Sequence, residues 1–266
     1  MAKVLPEYRI CTTSIALAQL ASPMTESALQ ELLAEVQALR QQSVLSGADR
    51  VKLWENTVKL AEAQYPSVQA LVADNLVDMQ QALSEAQIAK NSIALTDAYR
   101  QRVFRNLHDL AEAEYQPAFE FLMTCLEHPD SIWRWQSLRN IGFHYVTTSN
   151  SLFLKKTREL LRHDPDSAIR RTAALILGIH SQWGDQALVT ALSCDPQPDV
   201  RAVAFASLLE LAGVPRWRAW KCWQQVKTGE IQPTWENVQR SVRQEGIDLN
   251  GTKLSRKRES ETKVNW

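Results

Sequence analysis

Five histidines (His108, His128, His144, His163 and His180) are the side chains of this sequence best suited to proton transfer or metal binding. Their spacing suits neither. No two stand four apart, so none pair on one helical face, and there is no H-E-x-x-H run or close Cys/His cluster. The four cysteines (Cys11, Cys125, Cys194 and Cys222) are equally scattered, which reads as reduced structural thiols rather than a zinc site or a disulfide framework. Neither a G-x-S-x-G elbow nor a phosphate-binding P-loop occurs. With 8 glycines in 266 residues, backbone cradling of a phosphate is not expected. The residues therefore predict no metal and no cofactor, and an enzyme is the less favoured class.

Chemistry of contact is better represented. Trp133, Arg134, Trp135 and Arg139 crowd one segment. Trp135 and Arg139 stand four apart and so share a helical face, where an indole and a guanidinium make a hot-spot pair. Lys155, Lys156, Arg158 and Arg162 form a basic run, with Arg170 and Arg171 following. Such a run is either a solvated face or a patch for an acidic partner. Trp217, Trp220 and Trp223 recur at i, i+3 and i+6 among Arg216, Arg218 and Lys221. They either cover one end of a helical array or form a docking ridge, and the sequence leaves both open. The contact positions selected are Trp135, Arg139, Lys155, Arg158, Arg162 and Arg171.

The elements that must hold these residues are helical. Glycine is about 3 % of the chain against a usual ~7 %, and hairpins and dinucleotide folds need more. Ser22-Pro23 reads as the start of a first helix whose stripe is Leu29, Leu32, Leu33, Val36 and Leu39, with Ser46-Gly47 stopping it. A second runs from about Ala48 to Gln64 (Val51, Trp54, Val58, Ala61). A third restarts at Pro66-Ser67 (Val68, Leu71, Val72, Leu76, Met79, Leu83), and a fourth spans about Thr96 to Glu114 (Val103, Leu107, Leu110). From Pro117 the elements shorten and repeat. Pro129, Pro165 and Pro196 are each followed four residues on by Trp133, Ile169 or Val200, and five on by Arg134, Arg170 or Arg201. Ser137, Ala173 or Ala204 stands eight on. The prolines lie 36 and 31 residues apart, near the period of helix-pair solenoids. Proline and aspartate end one helix and cap the next, and each arginine can reach the aspartate of its own or the adjacent repeat, making a ladder. Arg134, Arg170 and Arg201, with Asp164 and Asp195, are accordingly assigned to stability. His128-Pro129-Asp130 spells the tripeptide of J-domain co-chaperones, but turn chemistry alone accounts for it.

Over residues 117–213 this pattern resembles the HEAT repeat, in particular the short HEAT-like repeat of phycobilisome lyases. The resemblance implies an all-α fold, a right-handed α-solenoid of stacked helix pairs, with residues 1–116 an N-terminal helical region that is either a set of degenerate repeats or a separate helical cap. Residues 214–245 form Trp-rich C-terminal helices and 246–266 a disordered tail, where Arg256-Lys257-Arg258 adds charge. Such a solenoid is used for binding, so a non-catalytic protein–protein interaction scaffold or adaptor is expected. The alternatives are a phycobilisome-lyase-like protein acting on tetrapyrrole-bearing proteins, or a HEAT-like DNA-binding glycosylase. Against nucleic acid stands a balance of 30 basic and 30 acidic side chains. The charge is uneven, though: residues 1–125 carry 10 basic and 15 acidic groups, and residues 126–266 carry 20 and 15. The expected partner is a protein, with an acidic surface as the complement of the basic run. The apolar stretch Ile10–Ala21 is too diluted by Thr, Ser and Gln for a signal peptide, no run is long enough to span a bilayer, and a cytoplasmic protein is expected.

Overall fold

The computed structural model describes residues 25–42, 44–63, 69–92, 95–145 and 151–247. Over these residues the fold is all-α: α1 (Glu26–Arg40), α2 (Gly47–Glu62), α3 (Gln69–Lys90), α4 (Asp97–Glu112), α5 (Gln116–Cys125), α6 (Ser131–His144), α7 (Ser151–His163), α8 (Ser167–His180), α9 (Gln186–Cys194), α10 (Pro198–Leu211), α11 (Arg216–Thr228) and α12 (Trp235–Gln244). The chain divides into two compact units, Met1–Ser149 and Asn150–Trp266. The division falls between the first copy of the Pro…Arg pattern and the second. The apolar stretch Ile10–Ala21, the Pro66-Ser67 restart and the charged tail beyond residue 247 lie outside the described residues.

In the first unit, consecutive helices pack through the stripes expected of α1, α3 and α4, but α2 turns inward at Leu53 and Leu60 with Trp54, leaving the expected Val51, Val58 and Ala61 only half-buried. Leu29, Val36 and Leu39 of α1 are buried, as are Leu53, Trp54 and Leu60 of α2, Met79 and Leu83 of α3, and Val103, Leu107 and Leu110 of α4. The first helix begins later than Ser22-Pro23. Thr25 is its N-cap, its hydroxyl accepting from the Ala28 N–H at 3.3 Å, and Glu26 sits in the first turn where the helix dipole favours it. Ser46 likewise caps α2 rather than merely ending α1, which stops at Arg40. Some polar groups inside this unit are paired: Asn75 donates to Thr57 at 3.0 Å, and Arg50 pairs with the buried Asp109 while lying over Trp54. Trp133 of α6 fills the slot that Ile169 and Val200 fill in the other copies, edge-on to Phe104 at 4.8 Å.

In the second unit α8 and α10 form the centre, with Ile169, Ala173, Ile176 and Leu177 meeting Val200, Ala204, Phe205 and Leu208, all buried. The two helices approach closely where a Cβ on Gly178 would stand 2.6 Å from the Ser207 side chain. Ser207 in turn donates to the Ala174 carbonyl at 3.0 Å.

The repeated turn is built the same way three times. Asp164 accepts from the N–H of Asp166, and Asp195 from that of Gln197, both at 2.9 Å. His128 holds the equivalent position in the first copy, and its Nδ1 accepts from the Asp130 N–H at 3.1 Å. Its Nε2 faces the Lys90 carbonyl at 3.0 Å, so the ring must carry its proton on Nε2. Arginine closes each turn. Arg134 donates to the carbonyls of His128 and Pro129 (2.8 Å each), Arg170 to those of Asp164 and Pro165 (2.9 and 3.2 Å), and Arg201 to that of Asp195 (2.7 Å). Arg170 also grips the carboxylate of Asp195, one repeat on, by two bonds of 2.8 and 3.1 Å. Both side chains are buried, so each charge depends on the other.

Arg170→Ala should therefore lower unfolding stability by about 3–5 kcal/mol in urea melts, because it strands a buried carboxylate; a loss below about 1 kcal/mol, the range of a surface ion pair, would mean the clasp does not hold the turn. Gly178→Ala should cost about 1–3 kcal/mol by overpacking. Ser207→Gly in the same chain should recover part of that cost, and additive losses in the double variant would contradict the close approach.

Candidate interaction surface

The six contact positions fall into both units. Trp135 and Arg139 lie on α6, half-buried, with the guanidinium 4.5 Å from the indole centroid. Lys155 and Arg162 on α7 and Arg171 on α8 are exposed. Arg158 is not free for a partner. Its Nε donates to Asp185 at 2.8 Å and its Nη2 lies 3.4 Å from Ser181 Oγ. Asp185 is the N-cap of α9, accepting from Ala187 and Leu188. Burial raises the Asp185 carboxyl, but the hydrogen bonds from Ser181 and Arg158 outweigh it and hold the group below its ordinary value. Arg158 thus anchors the start of α9, and of the basic run on α7 and α8 the exposed contact positions are Lys155, Arg162 and Arg171.

The tryptophan stripe, whose role the sequence left open, is mostly on the outside. The side of α11 that packs inward presents Ala219 and Val226, seven apart and both buried. Trp217 is 65 % and Trp220 51 % exposed. Trp220 stacks on Trp223 with centroids 4.4 Å apart and planes 18° from parallel. Arg218 lies over Trp217 at 4.8 Å, and Lys227 over Trp223 at 5.1 Å. The rings therefore form a pre-ordered row with cations among them. The signal for exposure was present in Ala219 and Val226: a helix needs one apolar face, and those two residues supply it away from Trp217 and Trp220, while Trp223, nearer that face, is half-buried. By contrast Trp183 and Trp235 stack at 5.1 Å.

One arrangement has no sequence signal at all. His108 of α4 and His144 of α6 meet edge to face, with centroids 4.8 Å apart. His108 Nδ1 lies 3.4 Å from Asn140 Oδ1, and its Nε2 lies 3.8 Å from Glu112. Burial, then the neighbouring His108 and Arg139, depress His144 to about 4, so it is neutral at physiological pH. Among the described residues no group of three His, Cys, Asp or Glu side chains is placed to hold a metal ion. The depressions over α1 and α2 (Ala28, Glu31, Leu32, Glu35, Lys59) and along α12 (Glu236, Gln239, Arg240, Arg243, Gln244) are shallow and open to solvent. Among the described residues no helix is long and apolar enough to cross a membrane. No family model matches the chain, and neither a curated protein nor a solved structure matches it.

The His144 environment sets a pH dependence. Between about 6.5 and about 4 the unfolded chain binds a proton at this position that the folded chain does not, so stability falls as the pH drops through that window. The contribution is at most about 3 kcal/mol. Urea melts across this range should show His144→Gln with a visibly flatter profile than the parent; parallel profiles would place the dependence elsewhere.

Proposed function

We propose that this chain is a non-catalytic interaction scaffold or adaptor, binding a partner protein through the outer surface of its helices. In this reading the helix pairs stack as HEAT-like repeats in a right-handed solenoid, and the protein acts in the cytoplasm. The observation that carries it is the exposure of Trp217 and Trp220 on a helix otherwise properly packed through Ala219 and Val226. Tryptophan offers a large rigid apolar surface whose exposure to water is costly, and it is the residue most enriched at the energetic centres of protein interfaces. The exposed cations Lys155, Arg162 and Arg171 supply a second contact face with a preference for acidic groups. The arginines that would compete for the same work, Arg158 and Arg170, are satisfied internally.

The test is capture by the tagged full chain from its native cell's lysate, with and without nuclease, followed by rebinding of the purified partner. The reading requires a stoichiometric protein that survives nuclease and binds at least about tenfold more weakly when Trp217 and Trp220 are both alanine or when Lys155, Arg162 and Arg171 are all glutamate. Both variants should keep the parent's unfolding midpoint, since they change exposed side chains. Nucleic acid alone, lost on digestion, would overturn the reading, as would a bound tetrapyrrole seen by its visible absorbance.

A further inference from the structure

We propose that the outer face of α11 docks an acidic amphipathic helix of a partner protein, with Trp217 and Trp220 as the apolar anchors and Lys221 as the charge that orients it. This rests on the reading of the chain as an interaction protein and names the chemistry of what it takes.

The face is defined by helical spacing. With Ala219 and Val226 turned inward, the outward positions are Trp217, Trp220, Lys221 and Gln224, all exposed. Trp217 and Lys221 are four apart, and Trp220 lies one turn from Trp217, so indole and ammonium share one face over about one turn. A partner helix with apolar residues three and four apart presents a ridge of matching pitch.

The charge of the face selects acidic partners. α11 carries Arg216, Arg218, Lys221 and Lys227 and no carboxylate. Three of these cations have ion-pair partners on neighbouring segments: Lys227 lies 3.4 Å from Asp199 with the two about equally exposed, while the other two pairs are lopsided. Arg216 is 50 % exposed and its partner Glu210 only 21 %; Arg218 is 45 % exposed and Glu245 only 19 %. These two cations stand outward while their carboxylates are tucked beneath them. Burial also raises the Glu210 carboxyl, against the lowering effect of Arg216 beside it. What a partner meets is two indoles in a positive rim, and an acidic flank on the partner satisfies it.

The state of the rings favours a protein over a nucleic acid. Sequence-tolerant binding of single strands uses open aromatic faces on which successive bases stack. Here Arg218 occupies a face of Trp217, Trp223 a face of Trp220, and Lys227 a face of Trp223. Trp220 and Trp223 are already closed on each other, so no base can enter between them. Ring edges and the remaining outer faces suit Leu, Ile or Met side chains instead.

The experiment pans a random peptide library against the immobilised full chain, resynthesises the enriched sequences, and measures their binding to the parent, to Trp217→Ala/Trp220→Ala and to Lys221→Glu. Oligothymidylate and phosphatidylserine vesicles serve as parallel probes. The expected result is a set of peptides with apolar residues at three- and four-residue spacing flanked by Asp or Glu. Their affinity should fall at least about tenfold in the double tryptophan variant and severalfold in Lys221→Glu, and should weaken with salt. A charge-reversed version of the best peptide should regain affinity for Lys221→Glu. Failure to enrich acidic peptides, or acidic peptides that bind all three proteins alike, overturns this proposal. If the full chain nevertheless captures a protein from lysate, the interaction reading survives that failure. Oligonucleotide or vesicle binding that disappears in the same variants, with no peptide binding, overturns both.

Discussion

The buried pairing of Arg170 with Asp195 is the constraint on which the second unit turns. A guanidinium and a carboxylate taken out of water are tolerable only when nearly every donor and acceptor is used. Arg170 meets that demand by spending two bonds on the Asp195 carboxylate and two on the carbonyls of Asp164 and Pro165. Those carbonyls lie just beyond α7, where helix geometry leaves backbone acceptors without partners. The same arginine therefore ends one helix, fixes the turn into the next and ties that turn to the aspartate that opens the following repeat. Asp195 is equally committed, since its Oδ1 also receives the Gln197 N–H. With the turns set, the spacing of α8 and α10 follows, and only then can Gly178 meet Ser207 without a gap.

The first copy shows which part of this device is chemical and which is merely habitual. His128 replaces the turn aspartate and still accepts the N–H two residues on, through Nδ1, while Nε2 reaches the Lys90 carbonyl in α3. A neutral imidazole supplies one acceptor and one donor, so it reproduces the aspartate's turn bond and adds a tether of its own. Trp133 makes the matching change in the core slot, filling with one indole, packed on Phe104 and Phe121, the space that Ile169 and Val200 fill elsewhere. The pattern tolerates these exchanges because the turn demands an acceptor at one position and apolar volume at another, not particular residues.

Much of this was legible in the sequence. The apolar stripes of α1, α3 and α4, the cap Asp130, the start of α4 near Thr96, the three-copy turn and the stabilising role of Arg170 all follow from spacing of a few residues. The stripe of α2 did not, since Leu53 and Leu60 rather than Val51 and Val58 turned inward. The start of α1 did not, because Ser22 and Thr25 are equally competent caps and only one can serve; Thr25 does. The role of Trp217 and Trp220 stayed open because tryptophans at helical spacing suit an end cover as well as a docking ridge, although Ala219 and Val226 already provided an inward face. The meeting of His108 and His144 was beyond reach. It depends on α4 packing against α6, and no local pattern records a contact between residues so far apart in the chain.

Arg170 and Arg171 state the logic of the surface most plainly. They are chain neighbours of one residue type, separated by about 100° of helical rotation. That rotation puts the first against Asp195, where removing it would strand a charge, and leaves the second exposed, where it can be exchanged at little cost to folding. Arg158 and Arg162 divide in the same way, the first drawn to the Asp185 cap and the second exposed. Basic residues counted along the sequence therefore overstate the basic surface, because the repeat consumes those that find a carboxylate within reach. On α11 the division is incomplete: Arg216 and Arg218 have partners, but those partners are the more buried members, so their charge still points outward beside the two indoles. A helix arranged in this way keeps its fold through a narrow apolar face and leaves its large aromatic surface for contact.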